Sequence, residues 1–172
     1  MDVFEAIRGR RSIRKFEDRP VKIEVLQRLI ETGTWAPSGG NWQTWRFVIL
    51  TEKSMVRKIK MVSPGLLGDP PALIAICQDT KEAERKGGRL GVESVSQMDT
   101  AMAAQNIMLA AYALDLGTCP IASFHKHAVR RLLRLPEEIV PQLLISVGYP
   151  KETPAPPKRK TEGICFLERY NE

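Results

Sequence analysis

Ala101-Met102-Ala103-Ala104-Gln105-Asn106-Ile107-Met108-Leu109-Ala110-Ala111-Tyr112-Ala113-Leu114-Asp115-Leu116 is the longest apolar region of the chain. Together with the residues just before it, it reads as one long helix over about 94–116, closed by Gly117. Apolar side chains fall on every side of it, and a helix of that kind is buried all round. Six of the quoted residues are alanine, which lets another backbone approach closely. In a chain of 172 residues this means either a central core helix or a contact between subunits. Gln105, Asn106 and Asp115 leave uninterrupted apolar runs too short to span a bilayer, so no membrane partner is expected.

Working outward, Glu24 to Thr34 places Val25, Leu26, Leu29 and Ile30 on one face and reads as an amphipathic helix. Residues 2–8 read as a short helix that stops at Gly9. Trp35 to Trp45 is a loop rich in Pro, Ser, Gly and Asn. Arg46 to Thr51 and Ala72 to Cys77 read as buried strands, with a helix at Glu52 to Met61 and a Gly/Pro loop at Ser63 to Pro71. Thr80 to Gly91, charged and glycine-containing, reads as a mobile connector. Beyond the long helix come an extended piece at Thr118 to Ile121, a helix at His127 to Leu133 and a strand at Gln142 to Val147. Lys151 to Lys160 is extended and rich in Pro and Lys, and Ile164 to Leu167 reads as a last strand. Strict βαβ alternation is absent, which favours α+β over a doubly wound sheet. Residues 1–172 read as one domain, with about 151–172 as a C-terminal extended arm.

Composition narrows the function class only partly. The chain is 43% hydrophobic and 27% charged, which suits a globular domain with a real core. Its formal net charge of +6 favours anionic ligands without choosing among phosphate, carboxylate and nucleic acid. Cys77, Cys119 and Cys165 lack C-x-x-C spacing and have only His125 and His127 as partners, so no metal site is expected. Sparse cysteines fit a reducing compartment, and no secretory leader is visible, so the expected location is the cytoplasm.

The densest charge is Arg10-Arg11-Ser12-Ile13-Arg14-Lys15-Phe16. Arginine forks bind phosphate oxygens in pairs, and the Ser12 hydroxyl adds a donor. A phosphate-bearing cofactor, a nucleic acid and a plain solvated basic face all fit this run. Against nucleic acid, aromatics are only 6% of the chain and no stacking or groove-reading motif is present.

Three separated segments together resemble the FMN-dependent nitroreductase family. Arg10 to Phe16 is close to the family's R-R/H-S-x-R/K-x-F/Y pattern. Ala36-Pro37-Ser38-Gly39-Gly40-Asn41-Trp42-Gln43-Thr44-Trp45-Arg46-Phe47 resembles its A-P-S-x-x-N-x-Q-P-W-x-F segment. Ala104-Gln105-Asn106-Ile107-Met108-Leu109-Ala110-Ala111, followed by Leu116-Gly117-Thr118-Cys119-Pro120-Ile121, looks like its central interface helix and flavin-edge loop. The resemblance implies a nitroreductase-like α+β fold, a mixed sheet flanked by helices. It also implies an intertwined homodimer joined by the central helix, with both subunits contributing to each active site. FMN would be bound without a covalent bond. NADH or NADPH would reduce it by hydride transfer, and a nitro compound, quinone or similar small acceptor would then leave with the electrons in a ping-pong cycle. A flavin store or sensor without turnover is the alternative. The sequence leaves NADH and NADPH equal, since no G-x-G-x-x-G follows a strand.

The same resemblance assigns residues. The cofactor carries the redox chemistry, so no side-chain nucleophile is required. Arg10 and Ser12 would lie along the phosphate and ribityl chain, with Arg11 nearby. Arg14 would stand near N1 and O2 of the flavin, where a fixed cation stabilises developing negative charge. The alternative for Arg14 is a surface pair with Glu17 or Asp18. Pro37, Ser38, Gly39 and Asn41 match the loop that the partner lays against the ring, where small residues permit close backbone approach. Ile121, Ala122 and Ser123 match a stretch whose main-chain N–H groups face flavin N5 and O4. The family often has Glu-Gly where this chain has Ala122-Ser123; main-chain donors survive, but the pocket lining changes. Within Lys158-Arg159-Lys160, Arg159 is the favoured phosphate contact. His125 and His127 fit proton donors or ordinary surface residues.

Overall fold

The computed structural model describes residues 1–170. Its layers are set by one strand. Ala72 to Cys77 are fully buried, and their side chains alternate between the two faces of a sheet. Ala72, Ile74 and Ile76 enter a core with Leu26, Leu29, Ala103, Ala104, Ile107 and Ala111. Leu73, Ala75 and Cys77 enter a second core with Val56, Ile59 and Val129. A strand apolar on both faces needs cover on both, and helices supply it. Burial pushes the Cys77 thiol up to about 12, so it stays a neutral packing group.

The elements in order are α1 (Val3–Gly9), α2 (Ile23–Thr34), β1 (Trp45–Leu50), α3 (Lys53–Met61), β2 (Ala72–Asp79), α4 (Thr80–Leu90), α5 (Ser96–Ala113), β3 (Gly117–Ile121), α6 (Lys126–Leu132) and β4 (Ile139–Gly148). The strands lie in the order β1-β2-β4-β3. Helices α2 and α5 cover one face, and α3 and α6 the other. The expectation of an α+β fold holds, but that of a mixed sheet needs correction. Every pairing of neighbouring strands is antiparallel. The parallel element is an isolated bridge between Ser12 and Thr118, where the N-terminal segment runs beside β3. Pro120 is tolerated because β3 is an edge strand, and Pro141 sits where the β2–β4 register shifts between Ile76 and Cys77.

The long helix differs from its reading at both ends. α5 spans Ser96–Ala113 and is preceded by a π-helical turn, Gly91–Val95, which continues directly from α4. Asp115, with φ 58°, is the left-handed residue after the helix. Gly117 instead opens β3, where a Cβ would lie 2.7 Å from Ile13 Cγ1. Nor is α5 buried on all sides. Ala103, Ala104, Ile107 and Ala111 are inside, while Met98, Ala101 and Met102 face out.

The connector at 80–91 is the helix α4. Asp79 accepts a hydrogen bond from the Glu82 backbone N–H at 2.9 Å, a side-chain cap that composition alone did not reveal. Arg46 ties this start to the sheet through Asp79 at 2.8 Å and Glu82 at 2.7 Å. The expected strand at 164–167 does not form, and residues 151–170 contain neither helix nor strand. Asn171 and Glu172 of the expected arm lie outside the described residues. Among the described residues, no helix is long and apolar enough to cross a membrane.

Candidate flavin site

The basic run is extended because it is threaded between two neighbours. Ile13 N–H donates to the Thr118 carbonyl at 2.9 Å. On the other side, the Glu152 carboxylate accepts the Arg14 N–H at 2.7 Å and the Lys15 N–H at 3.1 Å. Those donors, Arg14 first, hold Glu152 below the usual carboxylate range. Lys151 N–H then donates to the Lys15 carbonyl at 2.9 Å. The backbone is thereby fixed from Ile13 to Lys15, and the flanking side chains project from a stiff segment along the edge of β3.

Arg10 is the electrostatic centre of this edge. Among the described residues, its Nη1 is buried with no hydrogen-bond partner, as are Arg11 Nε and Thr118 Oγ1. Burial lowers the Arg10 pKa first, and the like charges of Arg159 and Arg11 push the same way. Arg159, in the C-terminal arm, therefore acts on Arg10 in the same direction as Arg11 does. Buried unmet donors on a cation are costly, and crowding by other cations adds to the cost. An anion with several acceptor oxygens removes both penalties at once, and a phosphate is such a group. Arg10 and Arg11 also line a cavity of about 450 Å³ with Ile13, Tyr112, Gly117 and Glu152.

Arg14 does not take the surface pairing open to it. Asp18 pairs with Lys53 at 2.8 Å, and the exposed Arg14 guanidinium is in no ion pair among the described residues. The loop 63–70 packs against this part of the chain. Gly65 N–H donates to the Ser123 carbonyl at 3.0 Å. Gly68, at φ 74°, lies so close to the Arg14 carbonyl that any Cβ would collide with it. Ile121 is buried at the end of β3, and Ala122 and Ser123 are exposed just beyond it. His125 N–H donates to the Val62 carbonyl at 2.9 Å, while the imidazoles of His125 and His127 belong to exposed residues. Arg10, Arg11, Ser12, Arg14, Ile121, Ala122, Ser123 and Arg159 thus belong to one neighbourhood.

The other group of expected site residues is elsewhere. Pro37, Ser38, Gly39 and Asn41 form a tight turn seated on the start of α5. Gly39 N–H donates to Asp99 Oδ1 at 3.1 Å. Gly40 and Asn41 have φ of 53° and 55°, and the Gln43 side chain donates to Asn41 Oδ1 at 2.9 Å. The Trp42 ring lies against the α-carbons of Gly87 and Gly91, and Lys86 Nζ donates to the Trp42 carbonyl at 2.8 Å. Trp45 packs in the core.

Two contributors escape a reading of the sequence. Glu152 looks like an ordinary charge in a polar arm. Asp99 is 2% exposed, and its Oδ2 has no partner among the described residues. Burial pushes its carboxyl up, with the Gly39 N–H opposing. An acid in the first turn of an alanine-rich helix was the available signal. Among the described residues, no group of three His, Cys, Asp or Glu is placed to hold a metal ion.

An antiparallel four-stranded sheet between two helical layers, with a basic N-terminal run along the edge of β3, is a nitroreductase-type arrangement. The nitroreductase family model matches residues 7–66 and 53–149, and the chain belongs to that family. A relative from Methanothermobacter thermautotrophicus, whose name couples NADH dehydrogenase with NAD(P)H nitroreductase, is 34% identical over 160 residues, covering 90% of this chain and 80% of its own. The FMN reductase [NAD(P)H] of Bacillus subtilis is 28% identical, covering 98% and 74%. A crystal structure from Parabacteroides distasonis, with the same coupled name as the first relative, superposes with a TM-score of 0.86 at 29% identity, covering 97% and 98%. The family and its named relatives make the chain a nitroreductase-type oxidoreductase.

Proposed function

We propose that this protein is an NAD(P)H-dependent oxidoreductase that holds FMN without a covalent bond and passes electrons to a small electron-poor acceptor, such as a nitro compound or quinone. The observation that carries this reading is the buried, unmet guanidinium donor of Arg10, pressed by Arg11 and Arg159. The phosphate of FMN fits that deficit in charge and in acceptor number. Arg10, Ser12 and Arg159 would hold it, with Arg11 nearby. Arg14, in no ion pair among the described residues, would place its cation at the pyrimidine edge of the ring system. The main chain of Ile121, Ala122 and Ser123 would supply donors at N5 and O4.

FMN, when bound, accepts a hydride equivalent from NAD(P)H and yields it to the acceptor. The chain's own part is to bind, orient and leave room. Glu152 keeps the Arg14 backbone in place, so the guanidinium swings from a fixed anchor. Ala122 puts no carboxylate at the ring edge, which opens the lining to acceptors that carry negative charge.

The separation of the 37–41 turn from the Arg10 neighbourhood supports a homodimer in which the partner's turn closes each site. Val3, Phe4 and Ile7 of α1 and Met98 and Met102 of α5 are exposed and apolar, as an interface requires. The test is an absorbance spectrum of purified protein after adding FMN and removing the excess, with light scattering on the same sample. Flavin bands that stay and bleach anaerobically with NAD(P)H, on a dimer, support the reading. Retained flavin that no nicotinamide reduces favours storage or sensing. Flavin that washes away overturns it, and a flavin-bound monomer overturns the shared site.

A further inference from the structure

The chain carries a formal +6 in all. Lys53, Arg57, Lys58 and Lys60 give α3 a charge of +4, and Lys126, Arg130 and Arg131 give α6 +3, with no acidic residue in either helix. Two helices of 9 and 7 residues therefore hold +7, and the rest of the chain sums to −1. The proposed FMN site uses none of these cations.

The two helices carry this charge in one layer of the molecule, where Glu17, Asp18 and Asp69 also border the Lys53, Arg57 and Lys60 side of α3. α3 buries Val56 and Ile59 and α6 buries Val129 against the same side of the sheet, and the helices touch each other. Their polar sides therefore look outward together, on the layer opposite α2 and α5. Lys53 and Lys60 are paired with Asp18 and Asp69 at 2.8 and 2.7 Å. Arg57, Lys58, Arg131 and the adjoining Arg134 are exposed and in no ion pair among the described residues. Met61, the last residue of α3, is 79% exposed in the same layer.

We infer that the α3/α6 face is a docking surface for the acidic surface of another protein. Guanidinium forks match carboxylates two-to-two, and arginine and methionine are enriched where proteins meet. Neither helix carries Phe, Tyr or Trp on which bases could stack. Neither has a free apolar side to lay into lipid, because Val56, Ile59 and Val129 are already in the core. Docking of this kind speeds and orients encounter and weakens as salt rises.

The probe is fluorescent poly-L-glutamate, titrated against the full chain by anisotropy at low and physiological salt. Two triple reversals are compared, Arg57→Glu/Lys58→Glu/Arg131→Glu on the face and Lys22→Glu/Arg28→Glu/Lys81→Glu at exposed positions off it. Each lowers the net charge from +6 to 0, so bulk charge is matched. The face variant is expected to bind at least about tenfold more weakly and the other to change less than about threefold. Equal losses, or no salt-sensitive binding by the parent, overturn the inference. Duplex DNA or phosphatidylglycerol vesicles that bind the face more tightly than polyglutamate does also overturn it, in favour of those partners. Should the face variant not fold by circular dichroism, Arg57→Gln/Lys58→Gln/Arg131→Gln is compared with its off-face Gln counterpart by the same criterion. Flavin content and turnover play no part in this readout.

Discussion

At the edge of β3, Arg10 is crowded by two other arginines and keeps a buried nitrogen unmet; at the start of α5, Asp99 is buried with one oxygen on Gly39 and the other unmet. The two deficits have opposite sign, and the chain has different remedies for them. An aspartate can take up a proton, and burial pushes Asp99 in that direction. An arginine stays charged at any ordinary pH, so the remedy proposed for Arg10 is an anion. On the proposed reading, buried charge marks a ligand site at Arg10, where the proton route is closed, and a structural anchor at Asp99, where it is open.

The sharpest way to break the comparison is to damage one side by backbone alone. Gly68→Ala introduces a Cβ at φ 74° directly onto the Arg14 carbonyl. The left-handed conformation and the collision together are expected to cost about 3 kcal/mol in urea unfolding. FMN retention should fall with it, while the 37–41 turn stays seated on Asp99. A Gly68→Ala protein of parental stability would mean that the loop shifts freely and does not brace Arg14.

Arg10→Ala comes next, and it separates ligand energy from folding energy. Charge-assisted hydrogen bonds are worth about 1.5–3 kcal/mol each, so FMN should bind roughly 10- to 100-fold more weakly. Without FMN, the variant should be at least as stable as the parent, because a crowded, desolvated cation has been removed. Fluorescence titration and thermal melts, each with and without FMN, check both halves. A large loss of stability without FMN would make Arg10 a structural residue and undo the contrast.

The same contrast explains what the sequence disclosed. The β2 run from Ala72 to Cys77 and the amphipathic face around Leu29 were legible because burial follows local sequence pattern. The basic run was legible because its charges are consecutive. Asp99 and Glu152 were not, because what matters in each is a backbone N–H far away in sequence, at Gly39 or at Arg14. Gly117 was read as a helix stop by its residue type; its small size serves contact with Ile13, a tertiary fact. The α4 helix was hidden by glycines and made visible by its Asp79 cap.

On the acidic side, Asp99→Ala removes the acceptor for Gly39 and leaves that N–H unmet. A loss of about 1 kcal/mol is expected, with weaker FMN binding only to the extent that the 37–41 turn loosens. Asp99→Asn keeps an acceptor oxygen and should hold the turn, so the Ala–Asn difference measures the hydrogen bond.

The smallest effect is the pH dependence of the Asp99→Asn comparison, and its sign is fixed. The folded-state pKa of Asp99 lies above its ordinary value. Between the two values the folded state keeps a proton that the unfolded chain has released, so Asp99 lowers stability as pH rises, by at most about 1.4 kcal/mol per pH unit. Asparagine does not titrate. The stability of Asp99→Asn relative to the parent should therefore rise from acid toward neutral pH and then level off. Glu82 shifts the other way, held down by hydrogen bonds from Arg46 and Lys86, but it is present in both proteins and cancels. Urea titrations of both proteins across that range supply the difference directly. A difference that grows toward acid would mean that Asp99 is stabilised as the anion, and the two regions would then share one sign of remedy: both would need a counter-ion.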